Sequence, residues 1–569
     1  MENLESSCDW PPRTGETNFP QIVRFLFPRC TEYGVYNPTM QGTSSLRVDL
    51  STQACDICRK RKVKCNIQQT GHLLSCLRCE RLNLACTFAL PSKTRGPKKR
   101  SLSETQQQCI IPAVPHRTED LCDRGLFKRM MQDYLDYIYP MVPLVHRPSF
   151  QKALQDDRDR EDDGFLALTL AIAALVVATM ASRFQAYQSD TRALRFNSRK
   201  DFVHACYQKT MGLRTSSYFD HLSFQKFTVS YLFLASFMQI GDQNWSRMVT
   251  VEAMQLARLL KLHSISDYTG LNCIETQLRK KGFWVMFYGF VHGHLQNLHG
   301  ERLTYLDPVA LHSIRPEDLM PLEVDDEFIF EHEVLTPENT EPCLVTGFVI
   351  HSRVFWAAIR DPVPTSTGGH CPCVRAKDTC LQISHFQDRL NCLQNLAANM
   401  PSFLHMSEST QGSVNDDDTD ERKRSVQSQL GSIRANLHVT HIWLQSLILD
   451  QLEAAQFYPQ RRSSSADRVG DLDQKLLWVE REKLCRQLFF ILFNFSRLSL
   501  ETNGLHLANK VRDIVASLLG CPFPPEDPIA KKAAEYIQLS TDVLSRLDSS
   551  EGMNTLHLQT WVDTDRIHG

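Results

Sequence analysis

Six of the 19 cysteines form an internal repeat, which constrains the fold more than any other feature of the 569-residue sequence. Each half of the repeat has the pattern C-x2-C-x6-C, and the second half follows the first at an offset of 21 residues. The six cysteines are Cys55, Cys58, Cys65, Cys76, Cys79 and Cys86. A segment this short cannot bury a sufficient apolar core by itself, so we expect it to fold around bound metal.

Two zinc stoichiometries fit this repeat. The two C-x2-C pairs alone are separated by 17 residues, which is the spacing of a four-cysteine ribbon around one zinc ion. That arrangement gives no role to the third cysteine of each half, Cys65 and Cys86. If all six cysteines bind two tetrahedral Zn²⁺ ions, two sulfurs must bridge both ions, and the repeat makes Cys55 and Cys76 the symmetric choice. Six thiolates leave no position open for a substrate water, so the site is predicted to be structural.

Basic residues are concentrated around these cysteines. From Cys55 to Arg100 there are twelve Lys or Arg residues against two acidic ones, although the whole chain has a formal charge of only −2. Between its second and third cysteines, the second half of the repeat has one cation, Arg81, and the first half has five. Those five are Arg59, Lys60, Arg61, Lys62 and Lys64. The sequence therefore predicts that only the first half presents a cationic face.

The stretch CDICRKRKVKC from Cys55 to Cys65, followed by CLRC from Cys76 to Cys79 and by Cys86, resembles the fungal binuclear zinc cluster family of transcription factors. The resemblance implies that a short helix after the first cysteine pair enters the major groove of DNA and reads a CGG-type triplet. Two positions depart from the family pattern, because Ser75 stands where proline is usual and Asn66 where aspartate is usual.

The same resemblance implies roles for the cations. By position, Arg61 and Lys62 contact base edges, where guanine O6 and N7 are acceptors that suit Arg and Lys. The backbone-facing residues are predicted to be Arg59, Lys60 and Lys64, together with a second basic run of Arg95, Lys98, Lys99 and Arg100. That second run is also predicted to serve nuclear import, with a solvated charge patch in a linker as the alternative.

The rest of the chain is predicted to be a large all-α regulatory domain beside the small two-helix cluster. Residues 121–545 have mostly helical apolar spacing, interrupted by predicted disordered loops near 407–425 and 460–473. The remaining segments are predicted to be a flexible N-terminal extension (1–54), a basic linker (87–120) and a C-terminal tail (546–569). No sustained heptads follow the cysteines, so the oligomeric state stays open.

Several segments of this helical body also resemble the middle homology region of the same family. They are Tyr134–Phe150, Glu252–His263, Phe283–Trp284, Gly300–Arg302 and Pro321–Asp326. The resemblance implies an all-helical body that senses inhibitors, partners or metabolites. Two further patterns are interpreted as structural. The apolar run from Phe165 to Met180 is predicted to be a buried core helix. The histidines His292, His294 and His299 are predicted to be ordinary core or surface residues.

These observations predict a nuclear, sequence-specific DNA-binding regulator of RNA polymerase II genes, with double-stranded DNA and the transcription machinery or co-regulators as partners and no membrane. By resemblance, it is an activator of a fungal metabolic or secondary-metabolite pathway. The sequence has no Gly-rich phosphate loop, no H-E-x-x-H and no G-x-S-x-G motif, so we predict that it is not an enzyme. The alternatives are a zinc-stapled nuclear scaffold or cofactor and, third, an enzyme whose helical body acts on a small molecule.

Overall fold

In this computed structural model the chain divides into two compact units, residues 1–113 and 114–569, and each is described by itself. The residues that the structure describes are 54–70, 73–87, 118–189, 194–295, 305–306, 311, 313–336, 343–359, 379–406, 421–457 and 469–547. The predicted N-terminal extension, most of the linker, the two loops and the tail therefore lie largely outside the described residues. So do Arg95, Lys98, Lys99 and Arg100.

The first unit contains two short helices joined through a β-hairpin. Helix α1 (Asp56–Lys60) and helix α2 (Leu77–Arg81) each begin directly after a cysteine, and strands β1 (Ile67–Thr70) and β2 (Leu73–Cys76) lie between them. The strands pair antiparallel, with Ile67 opposite Cys76. The two-helix cluster was predicted, whereas the hairpin was not, because strands of four residues are too short to show a periodic pattern.

The second unit is mostly helical, as predicted. Its first eight helices are α3 (Arg124–Asp133), α4 (Arg147–Gln155), α5 (Asp163–Thr179), α6 (Ala181–Ser189), α7 (Arg199–Gly212), α8 (Phe224–Gln239), α9 (Gln243–Leu259) and α10 (Cys273–Leu295). The others described are α11 (Pro316–Leu319), α12 (Leu344–Ile359), α13 (Thr379–Ala398), α14 (Glu421–Phe457), α15 (Val469–Asn494), α16 (Arg497–Glu501), α17 (Gly504–Ala516) and α18 (Pro528–Leu547). A π-helical turn over Tyr134–Ile138 follows α3.

Three predicted boundaries differ from the structure. Helices α14 and α15 already begin at Glu421 and Val469, so the two predicted loops extend about one helical turn too far. Residues 118–120, predicted as linker, belong to the helical unit, where Asp120 pairs with Lys209 on α7. Polar residues in a first helical turn resemble loop sequence, which explains the first two differences.

Serine and aspartate side chains cap the N-termini of several of these helices. The Asp162 carboxylate accepts hydrogen bonds from the backbone N–H groups of Gly164 and Phe165 and so caps α5. Ser198 and Ser223 cap α7 and α8 in the same way. Helix α5 is buried on all sides from Leu168 onward, which confirms the predicted core helix.

No single described helix has the length and apolar character needed to cross a membrane. The helices Asp163–Thr179 and Ala181–Ser189 reach that length only together, and a bend of 103° separates them. Their apolar side chains pack within the protein. The first core of the second unit is built around α5, including its Ile172, by side chains of α3, α7 and α8 that include Phe127, Phe202 and Phe233.

A second core lies between α10, α12, α14, α15 and α17. Its largest fully buried side chains include Trp284 on α10, Trp443 on α14 and Trp478 on α15. Each of the three indole N–H groups has an acceptor: Leu319 O for Trp284, Asp513 Oδ2 for Trp443 and Glu453 Oε1 for Trp478. Because each indole N–H has an acceptor, these large rings are buried without an unsatisfied hydrogen-bond donor.

The buried carboxylate of Asp326, in the Pro321–Asp326 segment, pairs with Lys281 and also contacts the Tyr134–Phe150 segment. Lys281 Nζ on α10 lies 2.7 Å from Asp326 Oδ1, and both side chains are 1% exposed. Asp326 also accepts hydrogen bonds from the Tyr139 hydroxyl and from the Arg147 backbone N–H. Burial raises the pKa of the Asp326 carboxyl, but the Lys281 ammonium outweighs this and holds that pKa below its usual value.

Candidate metal centre and nucleic-acid interface

The structure brings all six repeat cysteines together. Within each of two groups of four, all Sγ atoms lie within 4.8 Å of one another, and both groups contain Cys55 and Cys76. The first group adds Cys58 and Cys65, and the second adds Cys79 and Cys86. Two four-sulfur groups that share two sulfurs have the connectivity of two metal ions bridged by two thiolates.

The distances between sulfurs also suit zinc. The Cys55 and Cys76 Sγ atoms are 3.7 Å apart, Cys55 and Cys79 are 3.6 Å apart, and Cys58 and Cys76 are 3.7 Å apart. A tetrahedral zinc ion with Zn–S bonds of about 2.3 Å places its sulfurs roughly 3.8 Å apart. The spacing of the sulfurs therefore fits zinc. A four-cysteine ribbon gives Cys65 and Cys86 no role, whereas two ions that share two of the sulfurs use all six cysteines.

Backbone N–H groups point at the sulfurs in the same way in both halves. The Cys55 N–H donates to Cys65 Sγ at 3.4 Å, and the Cys76 N–H donates to Cys86 Sγ at 3.3 Å. The Cys79 N–H donates to Cys76 Sγ at 3.4 Å, at the beginning of α2. These donors stabilise negative charge on sulfur, which is the form that binds metal.

The thiol pKa values separate the shared sulfurs from the others. Burial, together with hydrogen bonds with Cys55 and Cys76, raises the pKa of Cys58 to about 12. Burial also raises the pKa of Cys76, but hydrogen bonds from the Cys79 backbone N–H and neighbouring thiols outweigh it and lower that pKa to about 6. The pKa of Cys55 is lowered against burial by the backbone and thiol of Cys58. The two sulfurs in both groups are thus the ones whose surroundings favour the thiolate.

Reciprocal hydrogen bonds tie the two halves to each other. The Asp56 N–H donates to Thr87 O at 2.8 Å, and 21 residues later the Leu77 N–H donates to Asn66 O at 3.0 Å. The first N–H of each helix is therefore bonded to the residue that follows the last cysteine of the other half. The two halves are thus related by approximate twofold symmetry. Thr87 Oγ1 also donates to the buried Asp56 carboxylate at 2.9 Å. No sequence pattern marks Asp56 or Thr87 as partners, because their contact spans 31 residues.

The five cations of the first half lie at one end of α1. Helix α1 ends at Lys60, so Arg61 occupies its C-cap and Lys62 follows with a left-handed φ of 51°. Lys60, Arg61, Lys62 and Lys64 are exposed. Arg59 is half-buried, and its guanidinium donates to Ala54 O at 3.2 Å. The predicted base-reading pair therefore lies just past the C-terminus of the helix rather than within it. Their contact with DNA remains a prediction.

The second half presents a different surface on the same backbone. At the positions equivalent to Arg61 and Lys62 it carries Leu82 and Asn83, and Leu82 is 49% exposed. Leu77 and Leu84 are also exposed. The two halves thus share a backbone but differ in their surfaces: the first has a run of exposed cations, whereas the second has exposed leucines beside Arg78 and Arg81.

Two family models match the chain. The Fungal Zn(2)-Cys(6) binuclear cluster domain matches residues 53–95, and the Fungal specific transcription factor domain matches residues 131–289. The first match contains all six cysteines and the first-half cations. The second match begins within α3 and ends within α10, so it covers α5, α7 and α8 of the first core and only the end of α3.

Relatives with curated names are fungal regulatory proteins. "Maltose fermentation regulatory protein MAL13" of Saccharomyces cerevisiae is 27% identical over 253 residues, which are 41% of this chain and 48% of that protein. "Transcriptional regulator AacuB" of Aspergillus aculeatus is 23% identical over 237 residues, 40% of this chain and 30% of that protein. "Transcription factor rglT" of Emericella nidulans is 34% identical over 62 residues, 11% of this chain and 14% of that protein.

The chain thus spans about half the length of MAL13 and less of the other two. No solved structure matches it significantly. The match to the binuclear cluster domain and the shared-sulfur geometry agree that the small unit is a six-cysteine cluster for two zinc ions. The chain therefore carries a match to the Fungal Zn(2)-Cys(6) binuclear cluster domain and, further along, a match to the Fungal specific transcription factor domain.

Proposed function

We propose that the protein is a nuclear, sequence-specific DNA-binding regulator of transcription. The observation that carries this proposal is the asymmetry of the cluster: two structurally equivalent halves, of which only the first displays a run of exposed cations. If the zinc cluster had only a structural role, the cations could lie in either half. A one-sided cationic face is what a small domain needs to dock on a DNA duplex in one orientation.

In this proposal the six cysteines hold two zinc ions and Cys55 and Cys76 bridge them. The metal supplies folding free energy and no open coordination position, so the role of the ions is structural. Zinc bound by the six cysteines would hold the backbone next to Lys60, Arg61 and Lys62, three exposed cations of one short segment. Arg61 and Lys62 read base edges of a CGG-type triplet, and Arg59, Lys60 and Lys64 position the domain on the phosphates.

The helical unit is proposed to be regulatory rather than catalytic. The match to the Fungal specific transcription factor domain supports this, as do the printed names of the relatives, which are those of regulators. We propose that the chain controls RNA polymerase II genes of a metabolic or secondary-metabolite pathway, as an activator, through contacts with the transcription machinery or co-regulators.

A second candidate is a zinc-stapled nuclear scaffold that binds proteins. The exposed Leu77, Leu82 and Leu84 of the second half favour it, because exposed leucines suit a protein contact better than a phosphate backbone. The scaffold requires no sequence preference for DNA, which makes the two proposals separable in one experiment.

The test is competition binding of the full chain to a duplex that contains CGG triplets and to a scrambled duplex. Lys62→Ala is expected to remove the preference for the CGG duplex, since a base-edge contact supplies roughly 1–3 kcal/mol of discrimination. Asn83→Ala is the matched control, because it truncates the equivalent left-handed residue of the other half. Equal binding of both duplexes by the unaltered chain would leave the scaffold as the better proposal.

A further inference from the structure

Helix α15 has apolar side chains on two of its faces, and one of these faces is exposed. The inward face includes Trp478 and Leu488, which belong to the second core. The outward face includes Leu476, Val479 and Phe493, whose exposed fractions are 58%, 50% and 54%. A surface helix usually has polar side chains on its outward face, so an exposed apolar face of this kind marks an interaction site.

The outward residues of α15 follow a regular spacing. They are separated by three, four, three, four and three positions, which is the spacing of the contact residues along one side of a coiled-coil helix. We call these six residues the α15 seam: Leu476, Val479, Lys483, Arg486, Phe490 and Phe493. All are exposed except Phe490, which is half-buried. The seam is therefore apolar at both ends and cationic in the middle, over a length of about 25 Å.

Helix α18 lies along one side of the seam and runs in the same direction as α15. Lys532 Nζ is 3.3 Å from Glu482 Oε1, and the Tyr536 ring stacks on the Phe489 ring with centroids 5.3 Å apart. Both contacts advance along the two helices together, and α18 ends at Leu547. That end lies roughly 10 Å beyond the last residue of the seam, measured along the helices. The chain that follows α18 thus starts beside the seam.

The segment that follows, residues 548–569, contains a short stretch that matches the seam in reverse order. In an extended chain every second side chain points to the same side. From position 561 to position 567 these side chains are Trp561, Asp563, Asp565 and Ile567, which are apolar, acidic, acidic and apolar. The stretch is about 20 Å long when extended, as is the part of the seam from Phe493 to Val479.

The middle of the seam carries an excess of positive charge. Lys483 pairs with Glu480 at 3.3 Å, and Arg486 pairs with Glu482 at 2.5 Å. Glu482 also pairs with Lys532, so three cations share two acids. A second copy of the chain is therefore a poor occupant of the seam, because packing in either direction would bring Lys483 and Arg486 against the same cations of the copy. An acidic segment has the opposite preference.

We propose that the C-terminal segment folds back and docks on the α15 seam as an extended stretch, antiparallel to the helix. Trp561 packs on Phe490 and Phe493 at one end, and Ile567 packs on Val479 at the other. The inference goes beyond the proposed function and does not depend on DNA binding.

The acidic pair fixes the register of this contact. Asp563 pairs with Arg486, and Asp565 pairs with Lys483, so opposite charges meet in the middle and apolar side chains meet at the ends. The contact is within one chain, and a tether of this length gives an effective concentration on the order of 1 mM. A segment with a separate dissociation constant of only about 0.1 mM would then be bound about nine tenths of the time.

Photocross-linking on the full, zinc-loaded chain tests the docking directly. Trp561→p-benzoylphenylalanine keeps a large aromatic side chain and leaves the seam unaltered. On illumination we expect a cross-link to the α15 peptide that contains Phe490 and Phe493, identified by mass spectrometry. A mixture of isotope-labelled and unlabelled chains shows whether the link lies within one chain. No link to α15 would overturn the proposal, and a link to α15 of another chain would assign the seam to a second copy instead.

A charge exchange tests the register. Arg486→Asp should lower the cross-link yield at least about twofold, because a tenfold loss of affinity leaves the segment bound about half the time. Addition of Asp563→Arg to that chain should restore the yield. Arg129→Asp, at an exposed position on α3, is the matched control and should cross-link like the unaltered chain. An unchanged yield in Arg486→Asp, or no recovery after the exchange, would overturn the proposed contact.

Discussion

Lys62 and Asn83 lie 21 positions apart and share one backbone conformation, each with a φ of 51°. The Lys62 N–H donates to Arg59 O at 3.3 Å, and the Asn83 N–H donates to Glu80 O at 3.1 Å. A left-handed φ is uncommon outside glycine, and asparagine is enriched there because its short polar side chain tolerates it. Lysine has no such advantage, so its presence at the first-half position favours a contact made by its charge.

Removal of that charge without a change of backbone is the first prediction. Lys62→Asn copies the residue of the equivalent position and should keep the fold and the zinc content, while it lowers the preference for CGG over a scrambled duplex. The expected loss is roughly 1–3 kcal/mol of discrimination. Competition binding measures the preference, and metal analysis of the same samples verifies the zinc. If Lys62→Asn kept its full preference, Lys62 would not be a base reader.

The second prediction concerns metal stoichiometry. The purified chain should contain two zinc ions, and Cys86→Ser, which removes a ligand from one four-sulfur group only, should retain less zinc than the unaltered chain. Structural zinc supplies on the order of 10–16 kcal/mol per site in finger peptides, so the variant should also lose DNA binding. Cys392→Ser, at an exposed position on α13, is the control. A measured ratio of one zinc per chain would restore the four-cysteine ribbon.

Phosphate contacts should behave differently from base contacts, which gives the third prediction. Lys64→Ala should weaken binding to CGG and scrambled duplexes alike, because a phosphate contact carries no sequence information. The slope of log affinity against log salt should fall by about 0.9 for the lost contact. Lys98→Ala, outside the described residues, should act in the same way. Titrations at several salt concentrations measure both quantities, and a sequence-dependent effect of either variant would be inconsistent with a phosphate role.

Much of the small unit could be read from the sequence, because its information is local. A fixed spacing and an offset of 21 residues were enough to single out Cys55 and Cys76 as the symmetric pair, and the structure places these two in both four-sulfur groups. The hairpin was missed because its strands are short, and the Asp56–Thr87 contact was missed because nothing in the intervening sequence marks it.

The helical unit was predictable as a class but not in its contacts. Apolar spacing indicates which face of a helix is buried, and it does not indicate which helix lies opposite. His292 was expected to be an ordinary histidine, and among the three histidines of that prediction it is the one whose side chain the structure describes. Its neighbours His351 and His506 lie 59 and 214 residues further along the sequence, so no local pattern could have revealed that these three side chains come together.

The last prediction concerns the ion pair between Lys281 and Asp326. Asp326→Ala leaves the Lys281 ammonium buried without its partner and deprives the Tyr139 hydroxyl of its acceptor. Loss of one partner of a buried pair typically costs about 3–5 kcal/mol, so the helical unit should unfold at a markedly lower denaturant concentration. Asp267→Ala, which removes an exposed partner of Lys261, is the control and should unfold close to the unaltered chain.

The pH dependence of that difference follows from the direction of the pKa shift. The Lys281 ammonium outweighs burial and holds the pKa of Asp326 below its usual value, so the folded state favours the ionised carboxylate. The stability that this pair contributes is therefore fully present above the unfolded pKa of about 3.9 and is lost as the pH falls through the lower folded value. Denaturant titrations of the unaltered chain and of Asp326→Ala should diverge at neutral pH and converge in acid. A difference that grew on acidification would mean that the carboxyl is protonated in the folded protein, contrary to the ion pair.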